Sequence, residues 1–151
     1  MKKYTAQIIN KQFVLISEDK KEIGRIVEMN KIFYSEYYII FNSRSYDIKN
    51  VGFLKNDVEL SDAKRIIYFT DLQKERIIKS GADVRIYYFK LDKTNQLSEK
   101  GKLLIEIKEE KNKRKDSIYH IEVDDSVDDL LILLFLHYST KEFNYIGGGE
   151  D

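Results

Sequence analysis

The chain contains 151 residues, 42% of them hydrophobic and 34% charged, which supports one globular domain and leaves too little chain for a second core. Twenty-six Lys and Arg residues balance 26 Asp and Glu residues, so binding to nucleic acid or a membrane would have to be local. The absence of cysteine excludes disulfides, thiolate zinc sites, iron–sulfur clusters and cysteine nucleophiles, and it agrees with a reducing compartment.

The N-terminal segment lacks the features of a secretory signal. Lys2 and Lys3 are not followed by the apolar run of about seven or more residues that such a signal needs. The longest apolar run of the chain, Leu130 to Leu136, has seven residues, whereas a helix that crosses a bilayer needs about twenty. We therefore expect a cytoplasmic protein without a transmembrane segment.

Short β-rich runs separated by turn residues fill most of the chain from Tyr4 to Val123. Ile, Val, Tyr and Phe dominate the runs, a pattern typical of successive short strands. In the first half, strands are predicted at Phe13–Ile16, Ile23–Met29, Tyr37–Phe41 and Ile66–Phe69. Residues 61–79 fit two interpretations, because Ser61 could cap a helix while Ile66–Phe69 favours strands. We favour two strands there.

Alternation of apolar and polar residues is clearest later in the chain. Val84, Ile86 and Tyr88 share one face of a predicted strand. The segments 103–108 and 119–123 also alternate, with Glu106 and Lys108 turned outward in the first of them. These segments predict strands with one buried face.

The last element is predicted to be a helix. Ser126 followed by Asp129 resembles a capping box in which Asp replaces the usual Glu or Gln, so the helix is expected to start at Ser126. Residues from Leu130 to Leu136 include no polar side chain over about two turns, so this helix is apolar on every side. Its predicted core residues are Leu130, Leu131, Leu133, Leu134 and Phe135.

A helix that is apolar on every side has to be enclosed, and the rest of the chain offers strands for this purpose. About ten short antiparallel strands can curl into a barrel wide enough to hold a helix, and closure removes exposed sheet edges. The sequence therefore predicts a mainly β protein, with one antiparallel β-barrel domain, residues 1–143, enclosing a C-terminal hydrophobic α-helix at about 126–141. Three consecutive Gly residues predict a flexible tail at 144–151.

The segment Ile118–Leu136 resembles the C-terminal signature of the tubby C-terminal-like superfamily, which includes tubby domains, phospholipid scramblases and the LURP-one-related proteins of plants. In that superfamily a last strand passes through an acidic turn into an apolar helix that threads a twelve-stranded barrel. The resemblance therefore implies a tubby-like fold. Because this chain has no cysteine and no separate apolar span, it is more similar to the LURP-one-related group than to scramblases. Superfamily members bind phosphoinositides, are linked to lipid scrambling or transcription, or have no assigned activity, so no active site is carried over.

The strongest local charge lies at residues 108–115, where five basic and two acidic side chains fall in a predicted hairpin loop. The candidate ligands for the phosphate of an anionic headgroup are Lys111, Lys113, Arg114 and Lys115. A solvated turn that keeps the hairpin soluble explains the same residues. Both interpretations stay open at this point.

Two other groups of residues are better explained by structure than by a site. Eleven Tyr and eight Phe could stack nucleic-acid bases, for instance at Tyr34 or Tyr88, but wall and core packing in a barrel accounts for them. His120 and Glu122 share a strand face, yet they are too few for a transition-metal site. No nucleic-acid partner, metal or other cofactor is therefore predicted.

No catalytic motif is present: the chain lacks a nucleophile elbow, a phosphate-binding loop and a His-Glu-x-x-His zinc motif. We therefore expect a non-enzymatic binding module whose partner is an anionic lipid headgroup or another protein. Two alternatives fit the same sequence. One is an enzyme with a small-molecule site at the mouth of the barrel, and the other is an oligomeric protein-interaction subunit.

Overall fold

Strands make up most of the structure. The computed structural model describes residues 1–63, 65–114 and 116–140. In chain order the elements are β1 Lys2–Ile9, β2 Gln12–Ser17, β3 Glu22–Asn30, β4 Ser35–Phe41, β5 Arg44–Val51, β6 Asp57–Asp62, β7 Arg65–Asp71, β8 Arg76–Lys79, β9 Arg85–Leu91, β10 Asn95–Glu99, β11 Lys102–Lys111, β12 Ser117–Val123 and α1 Asp129–Thr140. The predicted tail, 144–151, lies outside the described residues.

The strands form one closed antiparallel barrel in which each strand pairs with its neighbours in the chain. β1 closes the barrel by pairing with β12, from Lys2 opposite Val123 to Ala6 opposite Tyr119. Closure gives every strand a partner on both sides, so the sheet has no free edge. The predicted barrel is confirmed, with twelve strands where the sequence indicated about ten.

The helix α1 lies inside the barrel. All its residues from Leu130 to Ser139 are buried, and the inward side chains of the strands surround them. Gly24 on β3 allows the wall to approach the helix closely, because a Cβ atom at that position would lie 2.8 Å from Leu133 Cδ1. The predicted enclosure of the apolar helix is confirmed.

The described part of residues 61–79 consists of strands joined by turns and contains no helix. β7 pairs with β6 on one side and with β8 on the other. Ala63 adopts a positive φ of 54° in the turn that precedes β7, a conformation that ends regular structure. The choice of two strands over a helix in this segment is confirmed.

The later strands have the predicted alternation, but on β9 the apolar face expected to be buried faces solvent. Ile86 and Tyr88 lie on one face of β9, and that face is exposed on the outer wall; Val84, predicted on the same face, lies in the loop before β9 and is also exposed. Tyr87 and Phe89 point into the barrel instead. Alternation shows which residues share a face and cannot show which face is inside when both carry large apolar groups.

The helix begins three residues later than predicted, at Asp129. Asp128 caps it, because Leu130 N donates to Asp128 Oδ1 over 3.3 Å and Leu131 N donates to Asp128 O over 3.0 Å. Ser126 N donates to Asp124 Oδ2 over 3.1 Å, and the Ser126 hydroxyl donates to the same oxygen. An Asp two residues earlier thus holds Ser126 in a local turn. The predicted cap of Ser126 with Asp129 is therefore wrong.

Polar contacts fasten both ends of α1 to the wall. At its start, Tyr4 OH donates to Asp129 Oδ1 over 3.0 Å. Burial, followed by this bond, raises the pKa of Tyr4 to about 12. At the end of α1, Asn95 Nδ2 donates to Ser139 O over 3.1 Å.

In the part of the chain that the structure describes, no helix combines the length and apolar character of a transmembrane segment.

Candidate binding surface at one end of the barrel

The strands run alternately in opposite directions, so the loops gather at two ends of the barrel. We call the end where β1 finishes the upper end; it carries the loops 10–11, 31–34, 52–56, 72–75, 92–94 and 112–116. The lower end carries the loops 18–21, 42–43, 63–64, 80–84, 100–101 and 124–128. Since 124–128 leads into α1, the helix runs from the lower end to the upper end.

The two ends carry opposite net charge, although the whole chain is neutral. Among the described loop residues, the upper end has seven basic side chains against three carboxylates, and the lower end has three against six. The upper charges are Lys11, Lys31, Lys55, Lys74, Lys93, Lys113 and Arg114 against Glu75, Asp92 and Asp116; the lower charges are Lys20, Lys21 and Lys100 against Glu18, Asp19, Asp83, Asp124, Asp125 and Asp128. The upper end is therefore the end that attracts anions.

The predicted basic residues lie at this upper end. Lys111 ends β11, while Lys113 and Arg114 lie in the following loop, and all three are exposed. Lys111 Nζ lies 3.8 Å from Glu109 Oε2, which partly compensates its charge. Within the described residues, Lys113 and Arg114 make no ion pair. The fourth predicted ligand, Lys115, lies outside the described residues.

Hydrogen bonds of the Asn112 side chain and backbone hold the described residues of the 112–116 loop. Asn112 Oδ1 accepts hydrogen bonds from Arg114 N at 2.8 Å and from Asp116 N at 3.0 Å. Asn112 N in turn donates to Asp116 O over 3.0 Å. The loop conformation is therefore set locally, and it leaves the Lys113 and Arg114 side chains in solvent.

Two loops of the upper end also carry exposed apolar side chains, which the sequence analysis did not single out. In the 31–34 loop, Ile32 is 90% and Phe33 93% exposed; in the 52–56 loop, Phe53 is 98% and Leu54 70% exposed. These loops are neighbours because β4 pairs with β5. The sequence feature that could have indicated these exposed side chains is the position of Phe53 and Leu54 directly after the turn former Gly52, since residues in a turn at the end of a strand do not face the core.

A cleft of about 600 Å³ lies beside these two loops. Its lining includes Tyr34, Tyr37, Asp47, Lys49 and Lys55. Glu36 lines it as well, so aromatic side chains, two ammonium groups and two carboxylates meet at the rim of the barrel. The cleft is a candidate place for the small-molecule site at the mouth of the barrel that the enzymatic alternative requires.

The interior of the barrel holds packed groups whose pKa shifts follow from enclosure. Burial is the first cause of the raised pKa of Tyr68 and Tyr138. It lowers the pKa of His137, on α1, to about 4. Of the aromatics weighed as base-stacking groups, Tyr37 and Tyr87 are buried in this core, whereas Tyr34 and Tyr88 are exposed in separate parts of the surface.

His120, one of the two residues weighed as metal ligands, and the nearby Asp124 have other partners. His120 Nε2 lies 2.6 Å from Glu110 Oε1 on the neighbouring strand β11. Lys102 Nζ lies 3.2 Å from Asp124 Oδ1. Hydrogen bonds from Ser126, followed by the contact with Lys102, lower the pKa of Asp124 to about 2. Over the described ranges, no group of three or more His, Cys, Asp and Glu side chains is arranged to hold a metal ion.

Comparison with known proteins identifies no relative. The chain matches no protein-family model, no curated protein and no solved structure. The case for a function therefore depends on the geometry and charge of the chain itself.

Proposed function

We propose that this chain is a non-enzymatic binding module, similar to the tubby-like barrels, that binds anionic lipid headgroups through the upper end of the barrel. The observation that carries the proposal is the separation of charge between the two ends. Upper loops with seven basic groups against three carboxylates face lower loops with three against six, counted over the described residues. Such a molecule orients its basic end toward an anionic surface.

The architecture supports the family comparison on which part of the proposal depends. The resemblance implies a twelve-stranded barrel around a C-terminal helix that follows an acidic turn. This chain forms a closed barrel of twelve strands, and the segment 124–128 leads from β12 into α1. We further propose a cytoplasmic location, because a chain without cysteine suits a reducing compartment.

The strength of binding can be bounded from the charges. Each basic residue close to an anionic membrane contributes about 1 kcal/mol. Four consecutive loops around the rim contain Lys113 and Arg114, Lys11, Lys31 and Lys55. If all five reached the surface, the sum of about 5 kcal/mol would correspond to a dissociation constant of roughly 0.2 mM. Binding by charge alone is therefore weak, reversible and sensitive to salt.

The filled interior argues against the enzymatic alternative. A ligand cavity inside the barrel would need the volume that Leu131, Leu133 and Phe135 occupy, and these side chains are fully enclosed. The cleft at the rim offers polar groups but lies open beside exposed loops. A surface that contacts a headgroup fits this shape better than a site that excludes water.

Vesicle flotation tests the proposal. The full chain is mixed at low salt with phosphatidylcholine vesicles that contain either phosphatidylserine or a phosphoinositide, and with phosphatidylcholine alone. We expect flotation with the anionic vesicles and at least about tenfold weaker binding when Lys113→Glu and Arg114→Glu are combined. The matched control combines Lys20→Glu and Lys21→Glu in a lower loop and should bind like the unchanged chain. Failure to float with any anionic vesicle, or equal loss in the two double variants, contradicts the proposal.

A further inference from the structure

The upper end carries a cluster of exposed apolar side chains that no part of the described chain covers. Ile32, Phe33, Phe53 and Leu54 leave large apolar surfaces in water at the tips of two neighbouring loops. Exposed apolar patches of this kind, bordered by polar residues, mark surfaces that bind a partner or a membrane. Tyr34, which is 60% exposed in the same cluster, adds an aromatic ring with a polar hydroxyl.

The backbone presents these side chains outward in preformed turns. Lys31 N donates to Tyr34 O over 2.7 Å and closes the first tip. Lys55 N donates to Gly52 O over 3.2 Å and closes the second, where Gly52 and Lys55 both have positive φ angles. Asn50 Nδ2 also donates to Lys55 O over 3.2 Å. Because the tips are already ordered, little conformational entropy is lost when they bind.

The charge of the surroundings identifies the occupant. The loops 31–34 and 52–56 contain Lys31 and Lys55 and no carboxylate, although Lys31 Nζ lies 3.6 Å from Glu36 Oε1 at the start of β4, which partly compensates its charge. On one side of these two loops, 10–11 and then 112–116 add Lys11, Lys113 and Arg114 against Asp116 among the described residues; on the other side, 72–75 adds Lys74 and Glu75. An anionic bilayer offers both partners at once, with phosphates for the basic groups and an apolar layer for the tips. A second copy docked through the same end would bring the same positive charges together.

We infer that the upper end docks on an anionic bilayer by inserting the 31–34 and 52–56 tips into its interfacial layer, while the surrounding Lys and Arg side chains contact the headgroups. The inference rests on the proposed function and adds the mode of attachment. Tyr34 suits the headgroup depth, where amphipathic aromatic rings concentrate. The apolar tips make binding partly independent of salt, in contrast to attachment by charge alone.

A single tryptophan reports insertion directly, since the chain contains none. Phe53→Trp places it at the tip, and Val84→Trp places it at an exposed apolar position in a lower loop. Each variant is titrated with phosphatidylcholine vesicles that contain roughly one-third phosphatidylserine, with and without bromine-labelled acyl chains. We expect a blue-shifted, bromine-quenched emission for Phe53→Trp and unchanged emission for Val84→Trp.

A binding measurement completes the test. Combining Phe33→Ser with Phe53→Ser should weaken vesicle binding at least about tenfold and leave the urea midpoint unchanged, because both side chains are exposed in the folded chain. Flotation without a shift at Phe53→Trp would overturn insertion and leave headgroup binding intact. Absence of flotation would overturn both proposals. A blue shift that needs no vesicles and grows with protein concentration would overturn the inference in favour of self-association.

Discussion

Leu133 offers the sharpest test of the enclosed helix. Its side chain is 0% exposed and lies against Gly24 on β3. Leu133→Ala removes every side-chain carbon beyond Cβ, and at buried sites this change costs about 2–5 kcal/mol, rising with the volume of the cavity that is left. A closed barrel cannot collapse easily onto the gap, so we expect a cost in the upper half, about 3–5 kcal/mol. Small domains are stable by only about 5–15 kcal/mol, so the effect is large.

Urea unfolding followed by far-UV circular dichroism measures this cost. Leu54→Ala is the matched control, since it makes the same chemical change at a side chain that is 70% exposed. We expect the control to stay within about 0.5 kcal/mol of the unchanged chain. Leu133→Asp would bury a carboxylate, and we expect it to abolish the folded baseline. A cost below about 1 kcal/mol for Leu133→Ala, with a cooperative transition, would refute the reasoning.

Gly24 supplies the complementary perturbation from the wall. An added Cβ would meet Leu133 Cδ1 at 2.8 Å and Ile40 O at 2.9 Å, so Gly24→Ala should cost about 1–3 kcal/mol through overpacking. Leu133→Ala removes the first of these clashes but leaves the second. The double variant should therefore be more stable than the sum of the single effects predicts, by about 0.5–3 kcal/mol. Strict additivity would show that the two residues do not touch.

Two further predictions concern acid stability and the helix cap. Burial lowers the pKa of His137 to about 4. Between pH 6.5 and 4 the imidazole is therefore protonated in the unfolded chain but neutral in the folded chain. The free energy of unfolding should consequently drop by about 2 kcal/mol between pH 7 and 5. This loss should persist in His120→Gln and vanish in His137→Gln; urea titrations that show the reverse contradict the assignment. Asp128→Ala removes the cap and the hydrogen bond that Tyr68 OH donates to Asp128 Oδ2 over 3.4 Å, so it should cost at least about 1 kcal/mol, and Ser126→Ala should cost less. Thermal melts that rank these two variants the other way would contradict the observed start of α1.

The enclosure of α1 could be predicted because one sequence feature has a single structural solution. Residues from Leu130 to Leu136 offer water no polar face, and the remaining chain forms strands, so the strands have to surround the helix. Closure of the barrel follows from the same requirement together with the removal of sheet edges. The prediction of an enclosed helix depended on the apolar character of seven consecutive residues, and the geometry of a single turn does not change that character.

The errors arose where local alternatives differ by little energy. The segment from Asp124 to Asp129 contains several carboxylates that can cap a helix or close a turn. Whether Ser126 or Asp128 caps α1 depends on which backbone N–H groups lie within hydrogen-bond distance of each side chain. On β9 both faces carry large apolar side chains, so the registers with β8 and β10 decide that Tyr87 points inward. Sequence alternation carries no information on either choice.

The candidate surface could be predicted only in part. The run from Lys111 to Lys115 is visible as a cluster of charge, and the structure places its described members at the upper end. The opposite charge of the two ends is a property of the topology, because loops far apart in the chain, such as 31–34 and 112–116, become members of one rim. The exposure of Phe33 and Phe53 was not predicted, because large apolar residues in a β-rich chain are normally buried.

Native-state hydrogen exchange tests whether the barrel is filled by its own helix, which leaves only the outer surface for binding. If strands enclose α1 on every side, the amides from Leu131 to Leu136 can exchange only when the whole domain unfolds. The account predicts that their exchange free energies equal the global unfolding free energy from urea. Exchange of these amides at a clearly lower free energy, while the strand amides stay protected, would mean that the helix leaves an intact barrel. The interior would then be open to ligands, and the account would be contradicted.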